Sequence, residues 1–193
     1  MQMAFPTVCQ RQQGASLIVV LIIIVLMTII GLVGMNTAFI EEKMAGNSRE
    51  QSVAFAAAEA ALSDGEQDVM TSGRISGATG FAANCSADSD YVGLCSIETG
   101  VLPWDAVDWS ATSSPAFVTY GAKTNDNKKP LPGVANQPRY ILEALPNTAP
   151  GNSLASSSSG TVPANKYIYR LTAIGYGADP STRATVQSVY LLP

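Results

Sequence analysis

The chain has 193 residues, enough for one ordinary domain with a sizeable core, and its 11 Lys and Arg stand against 15 Asp and Glu. No positive surplus exists to hold a phosphate backbone, which argues against nucleic-acid binding as the main task. There is no histidine, so His-based acid–base catalysis and Cys/His zinc sites are excluded.

The apolar residues are unevenly placed. From Ala15 to Ile40 run 26 residues without a charge, and 20 of them are hydrophobic. A bilayer core of roughly 30 Å needs about 20 helical residues, so the segment is long enough to cross one. It shows no polar stripe before Asn36, unlike a buried globular helix. It is too long for the apolar region of a cleavable secretory signal, and no A-x-A site follows it directly. Arg11 lies upstream, while Glu41, Glu42 and Lys43 lie downstream. Positive charge stays in the cytoplasm, so the expected orientation is N-terminus in, C-terminus out. Gly31 and Gly34 are either ordinary membrane-helix glycines or points of close helix approach.

The helical pattern continues beyond the span. No Pro interrupts residues 47–69, and the run from Val53 to Leu62 is rich in helix-forming Ala. Val53, Ala57 and Ala61, with Phe55 and Leu62, suggest one face that packs on the rest of the domain. A helix from Ala15 to Met70 would be roughly 80 Å long at 1.5 Å per residue, with Gly46 as a point where it could bend.

Beyond residue 70, Gly, Ser, Asn and Pro become frequent. Strands are expected at Phe117–Tyr120, Tyr140–Ala144, Tyr167–Ala173 and Ala184–Tyr190. In the third of these, Tyr167, Tyr169, Leu171 and Ala173 share one face, and Ile168, Arg170 and Thr172 the other. The turn-rich run Gly175–Ser181 joins the last two into a terminal antiparallel hairpin. Ser153–Thr161, with four consecutive serines, reads as a long surface excursion. Cys9 precedes the span. Cys85 and Cys95, in the outer domain, read as a disulfide in an oxidising compartment, worth roughly 2–3 kcal/mol. The alternative is two unpaired buried thiols; a metal site lacks further soft ligands. Glu98, Asp105 and Asp108 lie near Trp104 and Trp109, a faint carbohydrate-cleft pattern that solvated loop carboxylates explain equally well. Asp88 and Asp90 form an Asp-x-Asp pair, too little by itself for a calcium loop.

At its N-terminal third the chain resembles the type IV pilins, most closely the PilX-type minor pilins. Gln12-Gln13-Gly14, followed directly by Ala15-Ser16-Leu17-Ile18, is similar to a prepilin leader. The strings Glu41-Glu42-Lys43-Met44-Ala45-Gly46-Asn47 and Ala54 to Leu62, which contains Phe55 and Glu59, resemble the N-terminal signature of that family. The segment from Tyr169 to Tyr190 is similar to its C-terminal hairpin. The resemblance implies an α+β fold: a long N-terminal helix, transmembrane in its first half, packed on a small antiparallel sheet. It implies a leader over 1–14, an assembly helix over 15–40, its continuation over 41–70 and a head domain over 71–193. It further implies cleavage by a prepilin peptidase between Gly14 and Ala15, and methylation at Ala15. Major and minor pilins, an inner-membrane assembly platform and a tip adhesin are the implied partners, with no cofactor, metal or catalytic residue. The implied roles are pilus biogenesis, twitching and adhesion.

One departure is informative. Most pilins carry Glu at the fifth mature position, where it neutralises the terminal amine of a neighbour. Here that position is Val19, and no acid lies between Ala15 and Ile40. In the related secretion pseudopilins a subunit lacking this Glu caps the tip, so the resemblance points to a tip or priming complex. A type II secretion pseudopilin and a single-pass anchor carrying an unrelated periplasmic binding domain are the competing expectations.

Overall fold

A computed structural model describes residues 15–83, 85, 90–97, 101–112, 116–124, 128–146 and 167–191. Gly14, Cys9, Asp88, Glu98 and the serine run 153–161 lie outside the described residues. The chain divides into two compact units, Met1–Asn47 and Ser48–Pro193.

Helix α1, Ala15–Thr71, is a single α-helix of 57 residues. It continues through Gly46 without a break in its helical assignment. No other heavy atom lies within 4 Å of where a Cβ would stand at Gly46. In the first unit the side chains from Ser16 to Asn47 are all exposed, including the whole apolar run.

In the second unit the helix packs on a mixed sheet. Its three long strands are antiparallel: β3 (Arg139–Pro146), β4 (Tyr167–Tyr176) and β5 (Arg183–Leu191). Two short strands share the free edge of β3. β1 (Leu94–Ser96) runs parallel to it opposite Leu142–Ala144, and β2 (Val118–Thr119) runs antiparallel opposite Arg139 and Tyr140. A four-residue helix, α2 (Pro103–Ala106), lies between β1 and β2. The sheet is therefore antiparallel in its body, with one parallel pairing at β1 that alternation alone does not announce.

Period-2 alternation splits the sheet into two packed faces. Tyr140, Leu142 and Ala144 of β3 join Tyr169, Leu171 and Ala173 of β4 against Ala61 and Val69 of α1. Ile141 points the other way, into a second cluster with Phe117 and the two cysteines, flanked by Trp104, Val107 and Trp109.

The buried stripe of α1 is Ala54, Ala57, Ala58, Ala61, Asp64, Gly65, Asp68 and Val69. Phe55, expected on the packing face, is 48% exposed. The reason is the closeness of helix and sheet. A Cβ at Gly175 would stand 2.2 Å from both the Ala54 carbonyl oxygen and the Ala58 nitrogen. Only small residues fit at such a crossing, so the bulky ring is turned outward. The same contact corrects the expected turn: Gly175 and Tyr176 belong to β4, and the chain reverses between Gly177 and Thr182, where Gly177 N–H donates to the Thr182 carbonyl at 2.9 Å. β2 is also shorter than the expected run Phe117–Tyr120, because only Val118 and Thr119 pair with β3.

Candidate functional site

The surfaces available for assembly are of two kinds, an apolar helix and a rigid head. Leu17 to Ile40 present large exposed apolar side chains, and among the described residues α1 is the only helix long and apolar enough to cross a membrane. Val19 is 54% exposed on it. The first carboxylate along the helix is Glu41. Ala15 is the first residue of α1. Glu41, Glu42, Met44, Gly46, Asn47, Phe55 and Glu59 all lie on α1 with exposed side chains, so both signature strings occupy one unbroken helix.

In the head, Cys85 and Cys95 form a disulfide and both are buried. The bridge lies beside a main-chain pairing: Ser96 N–H donates to the Ala82 carbonyl at 2.8 Å, and Ala82 N–H to the Leu94 carbonyl at 3.2 Å. The covalent link thus ties β1 to the segment that pairs with it at Ala82.

Three buried carboxylates went unnoticed in the sequence, and each has its own cation. Asp64 accepts from Gly121 N–H at 2.6 Å, from the Thr124 hydroxyl and from Lys128 Nζ at 2.5 Å. This ties a loop more than fifty residues away to the helix. One turn on, Asp68 takes both Arg74 nitrogens, Nε at 2.9 Å and Nη2, together with the Tyr140 hydroxyl at 3.0 Å. Arg74 Nη1 also donates to the Val92 carbonyl at 2.9 Å. Glu143 and Arg170 face each other across β3 and β4 in a two-pronged pair at 2.6 and 2.8 Å. A buried charge is tolerable only when paired in this way.

The electrostatics follow from these contacts. Burial pushes the Tyr140 hydroxyl far above the ordinary tyrosine range, and the nearby Asp68 and Asp64 charges add to it. Burial likewise raises Tyr169 and Tyr176. The hydrogen bonds that Arg170 donates to the Glu143 carboxylate hold the guanidinium more firmly protonated.

Trp104 and Trp109 serve packing. The Trp109 indole N–H donates to the Trp104 carbonyl at 3.0 Å, and its ring stacks on Phe117 at 6.1 Å. The Arg139 guanidinium lies 4.3 Å from the Phe117 ring centre and donates to the Trp109 carbonyl. Asp105 and Asp108 are exposed. Hydrogen bonds from the Ser110 side chain and amide hold the Asp108 carboxyl below its usual range. Asp90 meets Arg74 through its main-chain oxygen at 3.4 Å. No group of three or more Cys, Asp or Glu that could hold a metal comes together among the described residues.

Along one flank of the helix, Val53, Ala56, Ala57 and Ala60 line a shallow apolar groove of about 200 Å³ with Leu131, Pro132 and Val134. Residues 13–63 match a family model described as PilX N-terminal, and residues 57–192 match one described as the C-terminal part of the type IV pilus assembly protein PilX.

The chain belongs to the PilX family of type IV pilus assembly proteins.

Among curated proteins and among solved structures, nothing matches the chain. This PilX-family subunit takes part in type IV pilus assembly alongside other pilus components, and among the described residues α1 is the one helix whose length and composition suit a membrane anchor. The family match runs across the Ala-rich stripe of α1 and the terminal hairpin, the two elements that Gly175 brings into contact.

Proposed function

We propose that this PilX-family chain works at an end of the type IV pilus, in a priming or tip complex. The observation that carries the reading is the uncharged helix face: from Ala15 to Ile40 there is no carboxylate, and Val19 stands at the fifth position after Gly14.

The physical argument starts with the leader, residues 1–14. A prepilin peptidase removes it between Gly14 and Ala15 on the cytoplasmic face, and Ala15 becomes the methylated N-terminus. The helix over 15–40 then waits in the inner membrane, N-terminus in and C-terminus out, with 41–70 continuing into a head over 71–193. Assembly exchanges lipid contacts for contacts with other pilin helices. Both surroundings are apolar, so packing and the assembly platform decide the direction. A carboxylate carried into an apolar bundle costs several kcal/mol unless a neighbouring amine pairs with it, and that demand fixes the docking of each repeating subunit. Val19 makes no such demand. A subunit of this kind enters once, at an end, and leaves its own terminal amine to pair with the carboxylate of another. Its working partners are then the major and minor pilins and a tip adhesin, and its loss reduces twitching and adhesion through the number of fibres.

Coexpression with a prepilin peptidase should shorten the chain by the 14 leader residues, and Gly14→Val should block the cut. A chain that stays full length contradicts the processing step. Deletion in the source cell should lower the number of surface pili, and normal piliation would contradict the priming role.

A further inference from the structure

β5 is the outermost strand of the sheet. It pairs with β4 at nine consecutive positions, from Ile168 opposite Leu191 to Tyr176 opposite Arg183. Its far edge therefore carries a row of main-chain donors and acceptors, and no strand pairs with that row among the described residues. The opposite side of the sheet is treated differently, because β1 and β2 both cover the edge of β3.

Natural proteins blunt free edges with charge, Pro, a bulge or a covering segment. The β5 sequence, Arg183-Ala184-Thr185-Val186-Gln187-Ser188-Val189-Tyr190-Leu191, contains no Pro, no Gly and no charge after Arg183. Its unbroken register with β4 leaves no bulge. The side chains on its outer face include Val189 and Leu191, 64% and 58% exposed. Beside Leu191, Ile168 and Leu145 continue an apolar row across the sheet, in the register Leu145, Ile168, Leu191, while Val189 lies opposite Arg170. A nine-residue, regular, nearly uncharged edge is poised for strand addition.

We propose that the β5 edge receives an extended strand from another pilus subunit. Main-chain hydrogen bonds supply the attachment, and alternate side chains supply the selectivity. The fitting strand is uncharged through its centre, places apolar side chains beside Val189 and Leu191, and carries a carboxylate opposite the exposed Arg183. A second copy of this chain fits poorly. Antiparallel self-pairing centred on Gln187 sets each Arg183 against a Leu191, so both guanidinium groups lack an anion and both leucines face a charge. The proposal rests on the chain meeting other pilus subunits and not on its place at an end, so its failure leaves the end position standing.

The test is a short photoreactive amino acid placed in the full chain, in piliated cells, at Thr185, Gln187 or Val189. The three positions should give adducts with one segment of one pilin subunit, and each two-residue step along β5 should move the attachment by two residues. Absence of adducts there, while the same probe at Ala56 captures pilins, overturns the proposal. So do adducts scattered over the partner, or adducts with a second copy of this chain. The double variant V189K/L191K removes the apolar contact and should lower adduct formation at Gln187 by at least about tenfold. Its resistance to protease should be unchanged, because both side chains are exposed. Undiminished adducts in that variant also overturn it.

Discussion

Gly175→Ala probes the seat of the helix on the sheet with the smallest possible change. The new Cβ would lie 2.2 Å from main-chain oxygen and nitrogen on α1 and 2.9 Å from the Ala57 carbonyl carbon. Real Cβ contacts do not come under 3.0 Å, and backbone on a packed helix cannot rotate away as a side chain can. Strand and helix must therefore part by about 1 Å. Separation on that scale forfeits a quarter to a half of the dispersion attraction along the contact. The contact is the Ala54–Ala61 stripe against Ala173 and Leu171, so an overpacking cost of about 1–3 kcal/mol is expected, and more where the interface cannot relax. In a chain of this size that corresponds to a fall in Tm of about 2–12 °C. Gly46→Ala is the matched control: the same methyl group enters open space within the same helix, and it should stabilise by about 0.5–1 kcal/mol through helix propensity. The assay is thermal unfolding of both full-length variants in detergent, followed by circular dichroism. An unchanged Tm for Gly175→Ala would refute the close-approach argument. A fall for Gly46→Ala equal to that of Gly175→Ala would refute it as well.

Arg74→Met leaves the Asp68 carboxylate buried without its cation and should cost about 3–5 kcal/mol; adding Asp68→Asn should recover much of it, and a loss under about 1 kcal/mol in chemical denaturation would contradict the ion-pair account. Tyr140, Tyr169 and Tyr176 have folded-state pKa values raised above the ordinary 10.0. Their stabilisation is thus complete below pH 10 and is lost as pH rises above it. Ultraviolet absorbance should show these three ionising only as the head unfolds; smooth titration of every tyrosine near 10 in the folded protein would contradict their burial. Reduction of Cys85–Cys95, or Cys85→Ser with Cys95→Ser, should cost roughly 2–3 kcal/mol, read as a shift in the denaturation midpoint. An unshifted midpoint would mean that β1 holds without the bridge.

The parts of the fold that were legible share one property: their signal is local. The apolar run of α1 is a composition signal, and the alternation of β4 and β5 is a period-2 signal that needs no partner to be seen. The faces assigned to Tyr169, Leu171 and Ala173 and to Arg170 and Thr172 followed from that period alone. What stayed hidden depends on distant partners. Asp64 looks like a surface residue of an amphipathic helix until Lys128 is brought over it. Asp68 needs Arg74 from beyond the helix end and Tyr140 from the middle of β3. Glu143 and Arg170 sit in strands that were both foreseen, yet their pairing depends on a register that propensity does not set. Spacing puts Phe55 on the packing face, seven residues from Leu62, whereas a helix this close to a sheet buries its smallest residues and turns the ring outward. The parallel pairing of β1 escaped because three residues carry no period.

The same locality separates the two assembly surfaces. Val19 is legible as a missing charge in a charge-free run, while the β5 edge becomes a candidate only when the sheet order leaves it outermost.

Where the subunit lies on the pilus decides the central claim. Immunogold labelling of an epitope placed in the head of the full chain, on sheared pili from cells expressing it at native level, should show gold at one end of a fibre and none along its length. Gold at recurring intervals along the shaft would contradict the reading of Val19 and make the chain a building unit of the fibre body.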